Sequence, residues 1–180
     1  AILYDNNRFD ERLETAWGFA CLVTRGTSTV LFDTGGDGEL LLRNMAILGV
    51  DRLRLDAVVL SHIHADHTGG LAALLATGVR PVVYVPAAFP ASFKDGVRTL
   101  TRLVEVTGPT EIMPGIRSSG ELGDSIVEQA LVVDSLPGLV VVTGCAHPGI
   151  VEMVRRSRDL FGGPVAWVVG GFHLGSASES

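Results

Sequence analysis

Cysteine is scarce in this chain. Cys21 and Cys145 are the only two among 180 residues, too few for a disulfide framework, so a cytosolic compartment is the expectation. Long apolar runs are missing as well. No stretch approaches the ~18 residues that a membrane span needs, and no membrane partner is expected. The first ten residues carry Asp5, Asn6, Asn7, Arg8 and Asp10, which does not read as a signal peptide. Basic charge is thin: 14 Lys and Arg stand against 20 Asp and Glu, for a net charge of −6. Only Lys94 is a lysine. A nucleic-acid binder needs a basic face, so no nucleic-acid partner is expected. Charged residues make up only 19% against 47% hydrophobic, the reverse of a disordered composition, so the chain has the means to bury a core. Its length suits one domain, residues 1–180.

Glycine is plentiful, at 22 residues, about 12% against the usual ~7%. Many tight turns follow, as in α/β folds that build a site from loops. Trp17 to Val23 and Thr29 to Phe32 read as a hairpin around a Thr-Arg-Gly-Thr-Ser turn. Asp37 caps a helix over about 38–48, with Leu41, Met45 and Leu48 on one face. Ala57 to Leu60 is a short apolar strand suited to the middle of a sheet. A short helix carries Leu71, Leu74 and Leu75, and a strand follows over 81–85. Residues 86–97 read as irregular. Strands are expected over 101–106, 111–113, 116–118, 129–133 and 139–142. A helix then begins at Pro148, with Ile150, Val154 and Ser157 as its face, and the last strand is 165–169. The small polar tail, 175–180, reads as frayed.

The chemistry concentrates in five histidines. His62, His64 and His67 fall within six residues directly after the apolar strand 57–60. His147 and His173 each follow the end of another expected strand. In extended backbone, residues i and i+2 point to one side. A turn after the strand can therefore aim His62 and His64 at one metal, joined by His147, while Asp66 and His67, with His173, diverge toward a second. Imidazoles with a carboxylate suit Zn²⁺, one or two ions, with Fe or Mn as alternatives. Cys145 lies between a strand end and a helix start, where a thiolate would be favoured; it reads as a ligand or as a small buried residue.

The two halves also echo each other. Asp33 to His62 spans 29 residues and Cys145 to His173 spans 28, each across a strand, a helix and a strand. Two related ββαβ-like halves meeting face to face would bring both sets of donors to one edge.

His62-x-His64-x-Asp66-His67, followed by Thr68-Gly69-Gly70-Leu71, resembles the signature of the metallo-β-lactamase superfamily. Leu31-Phe32-Asp33-Thr34-Gly35 resembles its first motif. Thr143-Gly144-Cys145-Ala146-His147-Pro148-Gly149-Ile150 and Gly170-Gly171-Phe172-His173-Leu174 are similar to a narrower branch related to dihydropterin-linked ribofuranosylaminobenzene phosphate synthases. The resemblance implies an α/β fold, an αββα four-layer sandwich of two mixed sheets with outer helices. It also implies that Asp33 braces the metal loop from behind its ligands. Three departures stand out. Ile63 replaces the branch's usual Gly, Cys145 stands where the superfamily often has a bridging Asp, and the chain stops at Ser180 before the family's usual last strand and histidine, so either His173 takes that role or the fold is C-terminally truncated and the last ligand is missing.

The function expected from this set is a metal-dependent hydrolase of a small molecule: a phosphoester, lactone or thioester attacked by a zinc-activated water. Asp66 would be its catalytic residue, orienting the nucleophile and passing a proton to the leaving group. The same ligands leave open an iron-dependent oxidoreductase or dioxygenase, or a metal-binding fragment without activity. The oligomeric state is not legible.

Overall fold

Val30, Leu31 and Phe32 are consecutive and wholly buried. Alternating strand side chains point to opposite faces, so a strand buried on both faces must lie inside a layered sheet. The computed structural model, which describes residues 1–174, has that arrangement. The expected frayed tail over 175–180 lies outside the described residues.

The first sheet has six strands in sequential order: β1 (Ile2–Tyr4), β2 (Ala20–Arg25), β3 (Ser28–Phe32), β4 (Ala57–Val59), β5 (Val82–Pro86) and β6 (Leu103–Val106). β1, β2 and β3 pair antiparallel, and β3 to β6 run parallel. The second sheet has the order β11-β10-β9-β8-β7, from β7 (Thr110–Met113), β8 (Ile116–Ser118), β9 (Leu131–Asp134), β10 (Leu139–Thr143) and β11 (Val165–Gly170). Only β10 and β11 pair parallel there.

Three apolar layers order the stack. Leu31, Val58, Leu60, Val83 and Val85 pack under α1 (Gly38–Ile47), α3 (Leu71–Ala76) and α4 (Ala91–Arg98). The opposite faces of the same strands, through Val30, Phe32, Ala57 and Val59, meet Ile116, Leu131, Val133 and Val142 of the second sheet. Behind that sheet, Val141 and Ala130 pack with Met153 of α5 (Ile150–Phe161). The result is the four-layer αββα sandwich of two mixed sheets. The echo between halves is visible in the topology: β2-β3-α1-β4 and β9-β10-α5-β11 are each a hairpin, a helix and a parallel return strand.

Asp37 caps α1 as expected, its carboxylate accepting from the amides of Glu39 and Leu40. The structure corrects three readings. Residues 91–98 form α4 rather than an irregular stretch. The helix holds because Phe93 and Val97 pack on the first sheet and Lys94 and Arg98 both reach Glu105 of β6. The buried face of α5 centres on Met153 and Ser157, with Ile150 and Val154 at its flanks. β1, unmarked in the sequence, is a three-residue edge strand on β2. Phe89 and Phe93 stack edge to face, ring centroids 5.2 Å apart, within the core under α4.

Candidate metal centre

The site begins where β3 and β4 end. Their parallel register pairs Phe32 with Val59, which sets Asp33 beside the first residues of the histidine loop. Asp33 is fully buried and its backbone is left-handed, φ 58°. That turn points its carboxylate along the strand ends. Oδ1 accepts the Ser61 amide at 2.6 Å, and Oδ2 accepts the Ser61 hydroxyl at 2.7 Å. Oδ2 also meets Nδ1 of His67 at 2.7 Å. Ser61 Oγ, having given its proton to Asp33, accepts from Nδ1 of His62 at 2.8 Å. One carboxylate thus holds a proton on the inner nitrogen of two rings and aims both Nε2 atoms outward, the way a metal-ligating histidine is oriented. His64 stays extended ahead of the single turn α2 (Ala65–Thr68), which swings Asp66 and His67 around.

The second half delivers its donors from the ends of β10 and β11. The loop Gly144–His147 carries Cys145 and His147, and His173 follows β11. The rings converge. His62 lies 4.6 Å from His64, 4.3 Å from His67 and 4.8 Å from His147, centroid to centroid. His64 and His147 are 4.9 Å apart. Nε2 of His67 sits 3.1 Å from Sγ of Cys145, and Nε2 of His62 sits 3.1 Å from Nδ1 of His64.

Two sets of donor atoms each lie within 4.8 Å of one another: His62, Cys145 and His147, and Asp66, His67 and Cys145. His173 is brought beside His147, at 4.7 Å, rather than into the group of Asp66 and His67. Cys145 belongs to both sets and stands between them.

The electrostatics divide the rings, with His62 and His147 held neutral and His67 held charged. Burial pulls His62 down to about 2, helped by the charges of His67, His64 and His147, and burial lowers His147 too. Both rings are neutral at pH 7, as a ligand must be. Burial alone would lower His67, but Asp33 and Cys145 outweigh it and raise the ring to about 11. Among the described residues, Nε2 of His147 is buried with no hydrogen-bond partner. A buried ring nitrogen without a partner, surrounded by imidazole, thiol and carboxylate donors, fits a Zn²⁺-type ion.

Sequence reasoning missed Glu128. It is wholly buried just before β9, and its carboxylate accepts four successive backbone amides, Gly144 through His147, each at 3.0 Å. The one available signal was an acidic residue preceding a fully apolar strand. Ser61 was also unremarked. Gly144 is required where these groups meet, since a Cβ there would lie 2.1 Å from Ser61 Oγ.

A cleft of about 320 Å³ opens over Asp66, His67 and Cys145. Trp17, 74% exposed, and Phe172 form its apolar sides, and Asn6 and Asn7 its polar ones. Gly18 lets the Trp17 segment lie on the histidine loop, because a Cβ there would strike the Asp66 carbonyl at 2.2 Å.

Two facing mixed sheets with candidate metal donors gathered at one edge define a recognisable class. The chain belongs to the metallo-beta-lactamase superfamily, whose profile matches residues 18–169. Among individual relatives it is 31% identical, over 81% of its length, to a 7,8-dihydropterin-6-methyl-4-(beta-D-ribofuranosyl)-aminobenzene-5'-phosphate synthase of Methanocaldococcus jannaschii. It spans 65% of that protein's length. A solved metal-dependent hydrolase of the beta-lactamase superfamily superposes with a TM-score of 0.78 at 26% identity, covering 99% of this chain and 77% of the other. A ribonuclease of Thermus thermophilus is 42% identical over 72 residues, 39% of this chain and 17% of its own. Among the described residues no helix is long and apolar enough to cross a membrane.

Proposed function

We propose that the chain is a metal-dependent hydrolase of a small phosphoester, lactone or thioester. His62, His64, His147 and Cys145 would hold one ion, and Asp66, His67 and Cys145 a second, with His173 at the rim beside His147. Zinc suits this donor set best, and iron or manganese are the alternatives. When bound, such ions lower the pKa of a water and polarise the oxygen under attack. The chain's own groups do the rest. Asp33 and Ser61 hold protons on the inner nitrogens of His67 and His62, which leaves Nε2 of His62 free to ligate, while His67, held protonated by Asp33, would give up its Nε2 proton as an ion binds. Asp66, whose side chain is 24% exposed at the cleft floor, orients the attacking water and passes a proton to the leaving group. Trp17 and Phe172 exclude water from one side of the substrate.

The observation that carries this reading is the convergence of four imidazoles, a thiol and a carboxylate, two of the rings held from behind by one buried carboxylate. The net charge of −6 favours a small substrate over a nucleic acid. A second reading rests on the Methanocaldococcus relative: a synthase-type reaction on a pterin-linked phosphate. Iron-dependent redox chemistry would instead show as dominant iron with visible absorbance. One experiment separates them. Protein purified without added metal is assayed for bound metals, then offered phosphodiester, phosphomonoester, lactone and thioester substrates before and after chelation. Hydrolysis lost on chelation and restored by zinc supports the proposal. A metal-loaded protein inert toward all four classes would remove it.

A further inference from the structure

We infer that the dipeptide Glu128-Gln129 is a clamp that sets the spacing between the two donor loops, with Glu128 as the positioning residue for Cys145 and His147. The inference rests on the metal-centre reading above.

Glu128 grips the second half. Its Oε1 accepts the amides of Gly144, Cys145 and Ala146, and its Oε2 accepts that of His147. Four successive amides can face one point only if the loop curls around it, and Ala146 takes the left-handed conformation, φ 57°, that such a curl needs. The carboxylate is therefore the centre about which the loop is wound. The amides it holds belong to the same residues whose side chains offer donors to the metal. Any pivot of those amides swings the Cα–Cβ bonds of Cys145 and His147.

Gln129 grips the first half. Its amide donates to the Ser61 carbonyl at 2.9 Å, and its Nε2 donates to the Leu60 carbonyl at 2.8 Å. Its Oε1 in turn accepts the Ser118 hydroxyl. Leu60 and Ser61 lead directly into His62. Two adjacent residues thus hold the stem of the His62 loop and the whole of the Cys145–His147 loop, from within the wall between them. Asp33 braces the first loop internally, and Glu128 is its counterpart in the second. What Asp33 does not touch is the distance between the loops, 4.8 Å from the His62 ring to the His147 ring.

The substitution Glu128→Gln isolates one arm of the clamp. The amide keeps an oxygen for Gly144, Cys145 and Ala146 but turns an N–H₂ toward the His147 N–H. Donor meets donor, and the His147 end of the loop must move. Glu128→Ala removes all four acceptor contacts.

The test is a Co²⁺ titration of the full chain, wild type against Glu128→Gln, read by absorbance, with far-ultraviolet circular dichroism on the same samples. Wild type is expected to bind Co²⁺ and show a thiolate-to-cobalt absorption from Cys145. Glu128→Gln is expected to keep the wild-type dichroism while binding Co²⁺ ~10–100-fold more weakly, as loss of an outer hydrogen-bond partner does. Its thiolate absorption should change in position or intensity at full loading. A folded Glu128→Gln protein with wild-type affinity and an unchanged spectrum would overturn the clamp and leave the metal reading standing. Absence of Co²⁺ binding by wild type would overturn both. Should Glu128→Gln fail to fold, Gln129→Ala reads the other arm. It removes the side-chain bonds to Leu60 and Ser118, and wild-type Co²⁺ affinity in that variant would equally overturn the clamp.

Discussion

Asp33→Asn should uncouple the orientation of the histidines from the fold. Asparagine is nearly isosteric and tolerates the left-handed φ of 58° found at this position, so the backbone can stay in place. The lost contacts can be counted. Asn Oδ1 still accepts the Ser61 amide, but the new N–H₂ replaces Oδ2, which accepted both the Ser61 hydroxyl and His67 Nδ1. Two charge-assisted bonds go, each worth about 1.5–3 kcal/mol, and one weaker bond can form from the new amide to Ser61 Oγ. The net loss should be about 2–5 kcal/mol, a large fraction of an ordinary domain's stability but not all of it. The chemical effect runs further. With Ser61 Oγ accepting from the asparagine, its proton turns to Nδ1 of His62, and the ring proton shifts to Nε2. His67 loses the carboxylate that holds it charged and meets a donor at Nδ1, so the one proton it keeps sits on Nε2. Both outer nitrogens then carry protons where an ion should bind. Zinc affinity should fall ~10–100-fold. Urea unfolding followed by the fluorescence of Trp17 and Trp167 gives the stability, and competition against a chelator gives the affinity. A destabilised variant with wild-type zinc affinity would refute the relay from Asp33 through Ser61 to His62.

Other outcomes follow from the same geometry. Asp66→Asn should lower turnover on a recognised substrate by at least ~10²-fold with near-normal stability, checked by kinetics beside thermal unfolding; full activity would sink the role given to Asp66. Cys145→Ser should cut metal stoichiometry, because the thiol belongs to both donor sets; normal metal content with a small stability loss would mark it as packing only. Leu131→Ala, wholly buried between the sheets, should cost about 2–5 kcal/mol in denaturant unfolding and leave metal affinity per folded molecule unchanged. Lys94 and then Arg98 hold the Glu105 carboxylate below its usual range. Its contribution is therefore present above the ordinary glutamate value and is lost as pH falls through the depressed one. Stability measured from pH 7 downward should lose this component in wild type and not in Glu105→Gln.

The first donor group was legible because its chemistry is local. Three histidines and an aspartate within six residues, after a strand apolar on both faces, leave few alternatives, and Asp37 marked its helix just as locally. The pairing across the halves was not legible. Side alternation within 62–67 sorts those residues relative to one another, but it cannot tell which donor of the second half meets which. That depends on how β10 and β11 pack, and it brought Cys145 next to His67 and His173 next to His147. Glu128 was invisible for a related reason: its partners are backbone amides 16 to 19 residues away, which no side-chain pattern encodes. The helix at 91–98 was hidden because Gly96 and Val97 are poor helix formers, and tertiary contacts to Glu105 and the first sheet outweigh them.

The most direct test of the account is an anomalous difference map, recorded at the zinc absorption edge from crystals of the zinc-loaded protein. One peak is expected about 2.0–2.1 Å from ring nitrogens of His62 and His147, with Cys145 Sγ in its coordination sphere, and a second within reach of Asp66 and His67. Zinc peaks confined to the surface, with no density among these side chains, would contradict it.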